Sequence, residues 1–194
     1  GAGYTINNDA NIFIAELNSK MSNRISNKMQ VGYTAMRDYR SSLSGGEFPM
    51  VDILDGSGTI TSSKPFTSFG YELYTYGNKL NTDVFQFNDI LSLYAGNHEI
   101  TAGVQSSYKK YLNGFSPNYS GTYRFNSLAD FYAAAAGTKP AGLYNLSYTL
   151  GGGAFPLVGP KDFEAGFFIQ DKYRATDKLT VTYGIRADYT NFYN

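Results

Sequence analysis

Reactive side chains are sparse in this chain of 194 residues. It contains one histidine, His98, and no cysteine, which removes thiol nucleophiles, disulfides and thiolate metal sites. A lone imidazole makes neither a nucleophilic triad nor a zinc site by itself, so His98 reads first as a residue of the turn Gly96-Asn97-His98. The segment 52–58, Asp-Ile-Leu-Asp-Gly-Ser-Gly, offers Asp52 and Asp55 to a calcium ion. It lacks the alternating Asp pattern and the later Glu of a calcium loop, and a plain turn is the favoured reading. Gly151-Gly152-Gly153 is followed by no Gly-Lys-Ser/Thr and no helix signal, so it is a flexible loop rather than a phosphate cradle. No catalytic set, cofactor site or metal site is expected.

Aromatic rings are the remaining chemistry. Tyr119, Tyr123, Phe125, Tyr132, Tyr144 and Tyr148 crowd one stretch, 113–162. Rings in a long loop stack on a sugar or grip a peptide, or they pack the loop onto itself. The sequence leaves both readings open, and these six residues are the candidate ligand-binding set. Within the same stretch, 127–137 is the one run that looks helical, with Ser127 placed to cap it and Gly137 to end it.

The elements that position these groups are strands. From Leu179 the odd positions read Leu, Val, Tyr, Ile, Ala, Tyr and the even positions Thr, Thr, Gly, Arg, Asp, Thr. Period-two alternation over about 12 residues excludes a helix. The stretch 163–174 alternates likewise, except that Asp171 falls on the apolar face near its turn end. Strands are expected near 10–20, 28–40, 82–95, 98–112, 163–174 and 178–191, with long loops at 41–81 and 113–162. Links therefore alternate short, long, short, long, short. Soluble compact domains rarely carry such long connections, whereas membrane barrels pair short turns on one side with long loops on the other. The composition agrees: 18 Tyr, 14 Phe and 21 Gly, with only 16% charged residues, and a mean hydropathy of −0.32. The balance of 16 basic and 16 acidic residues gives no nucleic-acid footprint. No apolar run reaches ~18 residues, so no membrane-spanning helix is expected. The fold class expected is all-β: an antiparallel up-and-down meander of about six long strands, a segment of a transmembrane β-barrel with short periplasmic turns and long extracellular loops. A soluble antiparallel sandwich is the rival, weakened by strand length and by polar faces of Thr, Ser, Gln and Asn.

The run 165–186, AGFFIQDKYRATDKLTVTYGIR, resembles a recurrent hairpin of TonB-dependent receptors: a Phe-x-Gln-Asp-x-aromatic phrase, a Thr-Asp-Lys-Leu-Thr turn, then Gly-x-Arg. The run 94–103, YAGNHEITAG, is similar to that family's Gly-Asn-His turn, and 14–20, IAELNSK, to receptors of the Bacteroidetes type with carboxypeptidase-regulatory-like and plug domains. The resemblance implies the barrel region of a receptor that imports a scarce nutrient (a glycan, peptide or metal chelate) across the Gram-negative cell outer membrane. Its implied partners are outer-membrane lipid, further barrel strands and a plug, TonB acting through an N-terminal part, and a small nutrient ligand. The chain reads as a fragment of such a protein. A structural or adhesive surface β-protein without transport is the alternative.

Overall fold

The structure, a computed structural model, describes residues 2–44 and 46–193. In chain order the strands are β1 (Tyr4–Lys20), β2 (Ile25–Ser42), β3 (Met50–Ile53), β4 (Thr67–Phe69), β5 (Lys79–Ala95), β6 (His98–Gly114), β7 (Thr122–Phe125), β8 (Leu143–Asn145), β9 (Leu157–Val158), β10 (Lys161–Thr176) and β11 (Leu179–Tyr193). One helix, α1 (Leu128–Ala135), falls between β7 and β8. The six long strands form one sheet in the order β1-β2-β5-β6-β10-β11, with β9 added against the end of β6. A second sheet has the order β4-β3-β7-β8. Among the described residues neither sheet closes on itself, and β1 and β11 are the free edges of the larger one.

The long strands run beyond their expected ends by a few residues. At the start of β1 alternation is interrupted by Asn7, Asn8 and Asp9, polar at both parities, while the ladder continues. Near the start of β1, Asn7 Nδ2 donates to Ser41 Oγ at 3.0 Å and Asn8 Nδ2 to Asp38 at 2.9 Å. The backbone bond from Leu43 N to Gly3 O extends the pairing past the strand bounds. The short links are tight: Met21 N closes on Ile25 O, and only two residues separate β5 from β6 and β10 from β11.

Contacts divide the chain into two compact units. One comprises Ala10–Met36, Asn81–Leu112 and Gly159–Asn194; the other comprises Gly1–Asp9, Arg37–Leu80 and Asn113–Val158. The second unit holds nearly all of both long connections, and these are not structureless. Strand β3 pairs in parallel with β7, Met50 against Thr122 through Ile53 against Phe125, and β4 and β8 flank them antiparallel. Parallel pairing requires a long excursion between partners, here about 70 residues, so no local pattern announces it. Ile53, Leu54 and Phe125 form the buried centre of this small fold. Asn118 joins its segments from a left-handed backbone, φ 60°, which Asn tolerates better than other side-chain-bearing residues. Its carbonyl accepts from Gly121 N and Ser147 N, and its amide donates to Leu73 O.

Helix α1 starts as its sequence dictates. Ser127 Oγ accepts from Asp130 N at 3.2 Å, and Gly137 follows the last turn with φ 73°. Phe131 on α1 meets Phe125 edge-on at 5.3 Å and Phe69 at 5.8 Å, fixing the helix to its sheet.

Leu54 is 2% exposed, so Leu54→Ala leaves a cavity in a small core and costs about 2–5 kcal/mol. Hydrogen exchange is expected to show lost protection at 50–53 and 122–125, with the amides of β10 and β11 unchanged. Equal loss in β10 and β11 would show that the two units do not fold separately.

Candidate functional site

Register decides what each face of the long sheet presents. Ile169 lies between Ala102 on β6 and Ile185 on β11, and Phe167 lies between Val104 and Ala187. Two apolar rows thus share one face, and among the described residues no second layer covers it: Phe167 is 59% and Ile185 77% exposed. Two aromatic rows bound this band. Phe163 stands opposite Tyr108, which stacks on Phe85 at 6.5 Å, and Phe85 meets Tyr33 at 4.7 Å. Toward the turns, Tyr173 stands opposite His98 with the rings stacked at 4.5 Å, and Tyr183 lies in the next row. Phe163 and Tyr173 are ten residues apart on β10. At ~3.3 Å per residue and a tilt of ~40°, the rows are separated by roughly 25 Å, the height of the apolar band of outer-membrane barrels.

Three acids of β5 and β10 share this face by parity, and each has a partner: Asp83 accepts from the Tyr33 hydroxyl at 2.7 Å. Asp171 Oδ2 faces His98 Nδ1 at 2.7 Å and accepts from the Tyr183 hydroxyl at 2.8 Å. Asp89, in the β5 row, accepts from Asn27 Nδ2 at 2.6 Å. The acid that binds His98 is 73 residues away in the chain, which is why a reading along the sequence leaves the imidazole alone. The ring is one member of an aromatic and carboxylate cluster, and no hydroxyl nucleophile of Ser or Thr contacts it among the described residues.

The opposite face is polar and laced with hydrogen bonds. Gln105, Gly166 and Asp188 form one row, and Ser107, Glu164 and Thr190 the next. Arg186 Nη1 donates to Gln105 Oε1 at 2.9 Å, while its Nε and Nη2 hold Asp188. Lys109 bridges Asp162 at 3.1 Å and Glu164 at 3.0 Å. Asn88 donates to Gln30 at 3.2 Å. Two glycines make this arrangement possible: a Cβ on Gly166 would overlap the Arg186 guanidinium, and one on Gly103 would meet the Phe168 ring. Asn88, Gln105, Ser107, Glu164, Arg186 and Asp188 line a shallow depression of about 540 Å³. The sequence reading assigned these residues a polar face but no contacts, because the partners lie on different hairpins.

The second unit places the six candidate aromatic residues in three settings. Phe125 is 6% exposed and packs on Phe131, so its ring is part of the core. Tyr119 is half-buried, stacked on Tyr76 at 5.2 Å and edge-on to Phe155 at 4.8 Å. Tyr123 and Tyr144 face each other across β7 and β8 at 4.4 Å. Tyr132, Tyr144 and Tyr148 present exposed ring surface. Tyr76 and Tyr71, which were not singled out, join the cluster around Tyr119. The Glu47 carboxylate, with burial second, raises the Tyr76 hydroxyl above the ordinary phenol range. For Tyr71 burial leads and Glu47 adds to it, so both remain neutral donors.

In the segment 52–58 both carboxylates are engaged by the protein's own groups. Asp52 accepts from Ser68 Oγ at 2.6 Å and pairs with Arg124 Nε at 3.4 Å. Asp55 folds back on Ser57, whose hydroxyl and amide hold its carboxyl below the usual carboxylate range. No cluster of three metal-ligating side chains occurs among the described residues.

A family profile described as "Outer membrane beta barrel domain" matches residues 1–194. No curated protein and no solved structure matches the chain at a significant level. The profile covers the whole length, including both aromatic rows and the loop fold. This protein belongs to the outer membrane beta barrel domain family.

Proposed function

We propose that this chain is part of the barrel wall of a TonB-dependent importer in a Gram-negative outer membrane, taking up a scarce nutrient such as a glycan, peptide or metal chelate. The observation that carries the reading is the two-faced sheet: an apolar band between aromatic rows on one side and a hydrogen-bonded polar surface on the other. In this reading the band meets acyl chains and the polar surface lines the path of the solute. The short turns lie on the periplasmic side and the long connections are the extracellular loops, where Tyr132, Tyr144 and Tyr148 contact the nutrient. Strands β1 and β11 pair with further strands of the same barrel, because unpaired backbone groups in hydrocarbon cost several kcal/mol each. A plug and TonB are the partners of the whole receptor. The TonB-type hairpin phrase at 165–186 supports import over the adhesive alternative. The exposed rings of the second unit serve either one.

Three outcomes test this. Alkaline extraction of cells leaves the parent protein in the outer-membrane fraction; recovery from the soluble periplasm sinks the wall assignment. In urea titrations from lipid vesicles, Ile169→Arg costs about 2–4 kcal/mol at mid-band, while Gln170→Arg on the opposite face costs under about 1 kcal/mol. Equal costs would mean that the two faces meet the same medium. Solute uptake by the parent stops when the proton gradient is collapsed, and the Tyr144→Ala/Tyr148→Ala double variant lowers affinity about tenfold (~1.4 kcal/mol). Uptake that persists without the gradient removes the TonB-dependent part of the proposal.

A further inference from the structure

We propose that a pocket at the turn end of the polar face binds a phosphate group. It is a cavity of about 210 Å³, bordered by Tyr94, Gly96, Asn97, His98, Glu99, Lys172, Arg174 and Thr180. At ~30 Å³ per liquid water it has room for about seven waters, enough for a phosphate and part of its ester substituent.

Three observations assign the ligand class. The first is an unspent guanidinium. Arg174 is bound through its backbone, its amide donating to Asn97 O at 2.9 Å, but its side chain makes no hydrogen bond or ion pair among the described residues. Every other cation this face presents on β6, β10 and β11 has a carboxylate: Lys109 has Asp162 and Glu164, Arg186 has Asp188, and Lys172 has Glu99.

The second is the local charge. Lys172 and Arg174 stand against Glu99 alone, whose carboxylate Lys172 holds at 3.3 Å. His98 borders the pocket, but its Nδ1 is committed to Asp171 on the other face, so it adds charge here only when protonated. The pocket therefore carries one uncompensated positive charge, with the forked donor geometry that matches phosphate oxygens two at a time.

The third is the neutral rim. Register sets Thr180 opposite Arg174, and both Thr180 and Tyr94 border the same cavity. The backbone bond between Arg174 and Asn97 ties the two hairpins together at this point, so the donors are held on paired strands rather than on a mobile tip. The phosphate can be free, carried by a solute on the water-filled side, or carried by a lipid headgroup at the rim.

The test uses the full chain in maltoside micelles at fixed ionic strength, titrated with inorganic phosphate and read from the side-chain and amide resonances of Arg174 and Thr180. The expected result is saturable binding that Arg174→Gln weakens at least tenfold, while Lys178→Gln, in the turn outside the pocket, leaves it unchanged. Thr180→Val serves as a second variant, with a smaller expected loss of about threefold. The chain in phosphatidylcholine vesicles, with and without phosphatidylglycerol, separates the sources. Shifts at Arg174 that need phosphatidylglycerol assign the headgroup, and shifts that need only added phosphate assign the solute. If phosphate neither saturates nor shifts these resonances and phosphatidylglycerol has no effect, the proposal fails. It fails equally if Arg174→Gln binds as tightly as the parent.

Discussion

Register between β6, β10 and β11 is the constraint on which the rest depends. Side chains alternate faces with a period of two, so a slip of one residue would carry Phe167, Ile169 and Ile185 into the polar surface and Arg186 and Glu164 into the apolar one. The pairing is locked from both sides. On the apolar face the His98–Asp171–Tyr183 cluster links three strands near their turns. On the polar face Arg186 reaches from β11 across β10 to Gln105 on β6. A slipped ladder would break both sets together and leave a carboxylate in the apolar band without a donor, a cost of several kcal/mol in a medium without water.

The second unit follows a different logic. Its connections are too long to be simple turns, and they carry their own core around Leu54, Ile53 and Phe125. That core is small, so fixed polar contacts carry much of its order. Asn118 gathers three segments through its backbone and takes the Thr122 hydroxyl on its side chain at 2.8 Å. Arg124 binds Asp52 and reaches Ser63 O at 2.5 Å. Rings exposed on a rigid base lose less freedom on binding than rings on a floppy loop, which is what a recognition surface requires.

Much of this was legible in the sequence, and the missing parts have physical reasons. Alternation at 163–174 and 179–190 identified the strands because each side chain there meets one of two contrasting media. The start of β1 carried no such signal, since Asn7, Asn8 and Asp9 are polar at both parities. Helix α1 was legible because its cap, Ser127, and its terminating glycine are local. The parallel β3–β7 pair was not, because partners about 70 residues apart leave no periodic trace. Of the aromatic candidates, Phe125 could not be told from its neighbours by type. Only its place in the parallel sheet, opposite Ile53, makes it core.

The charge balance of the chain also has a structural reading. A net charge of zero does not mean scattered neutral pairs. On the polar face the ion pairs run between neighbouring strands or along one: Lys109 with Asp162 and Glu164, Lys172 with Glu99, Arg186 with Asp188. Exposed pairs of this kind contribute little stability, on the order of 0–1 kcal/mol each. Their value lies elsewhere. In the proposed importer, a wall that pairs its own charges would present a solute with hydrogen-bonding groups and little fixed field. Arg174 is the exception among the cations of this face on β6, β10 and β11, and its position at the turn end of β10 separates it from the paired stretch around Lys109 and Arg186.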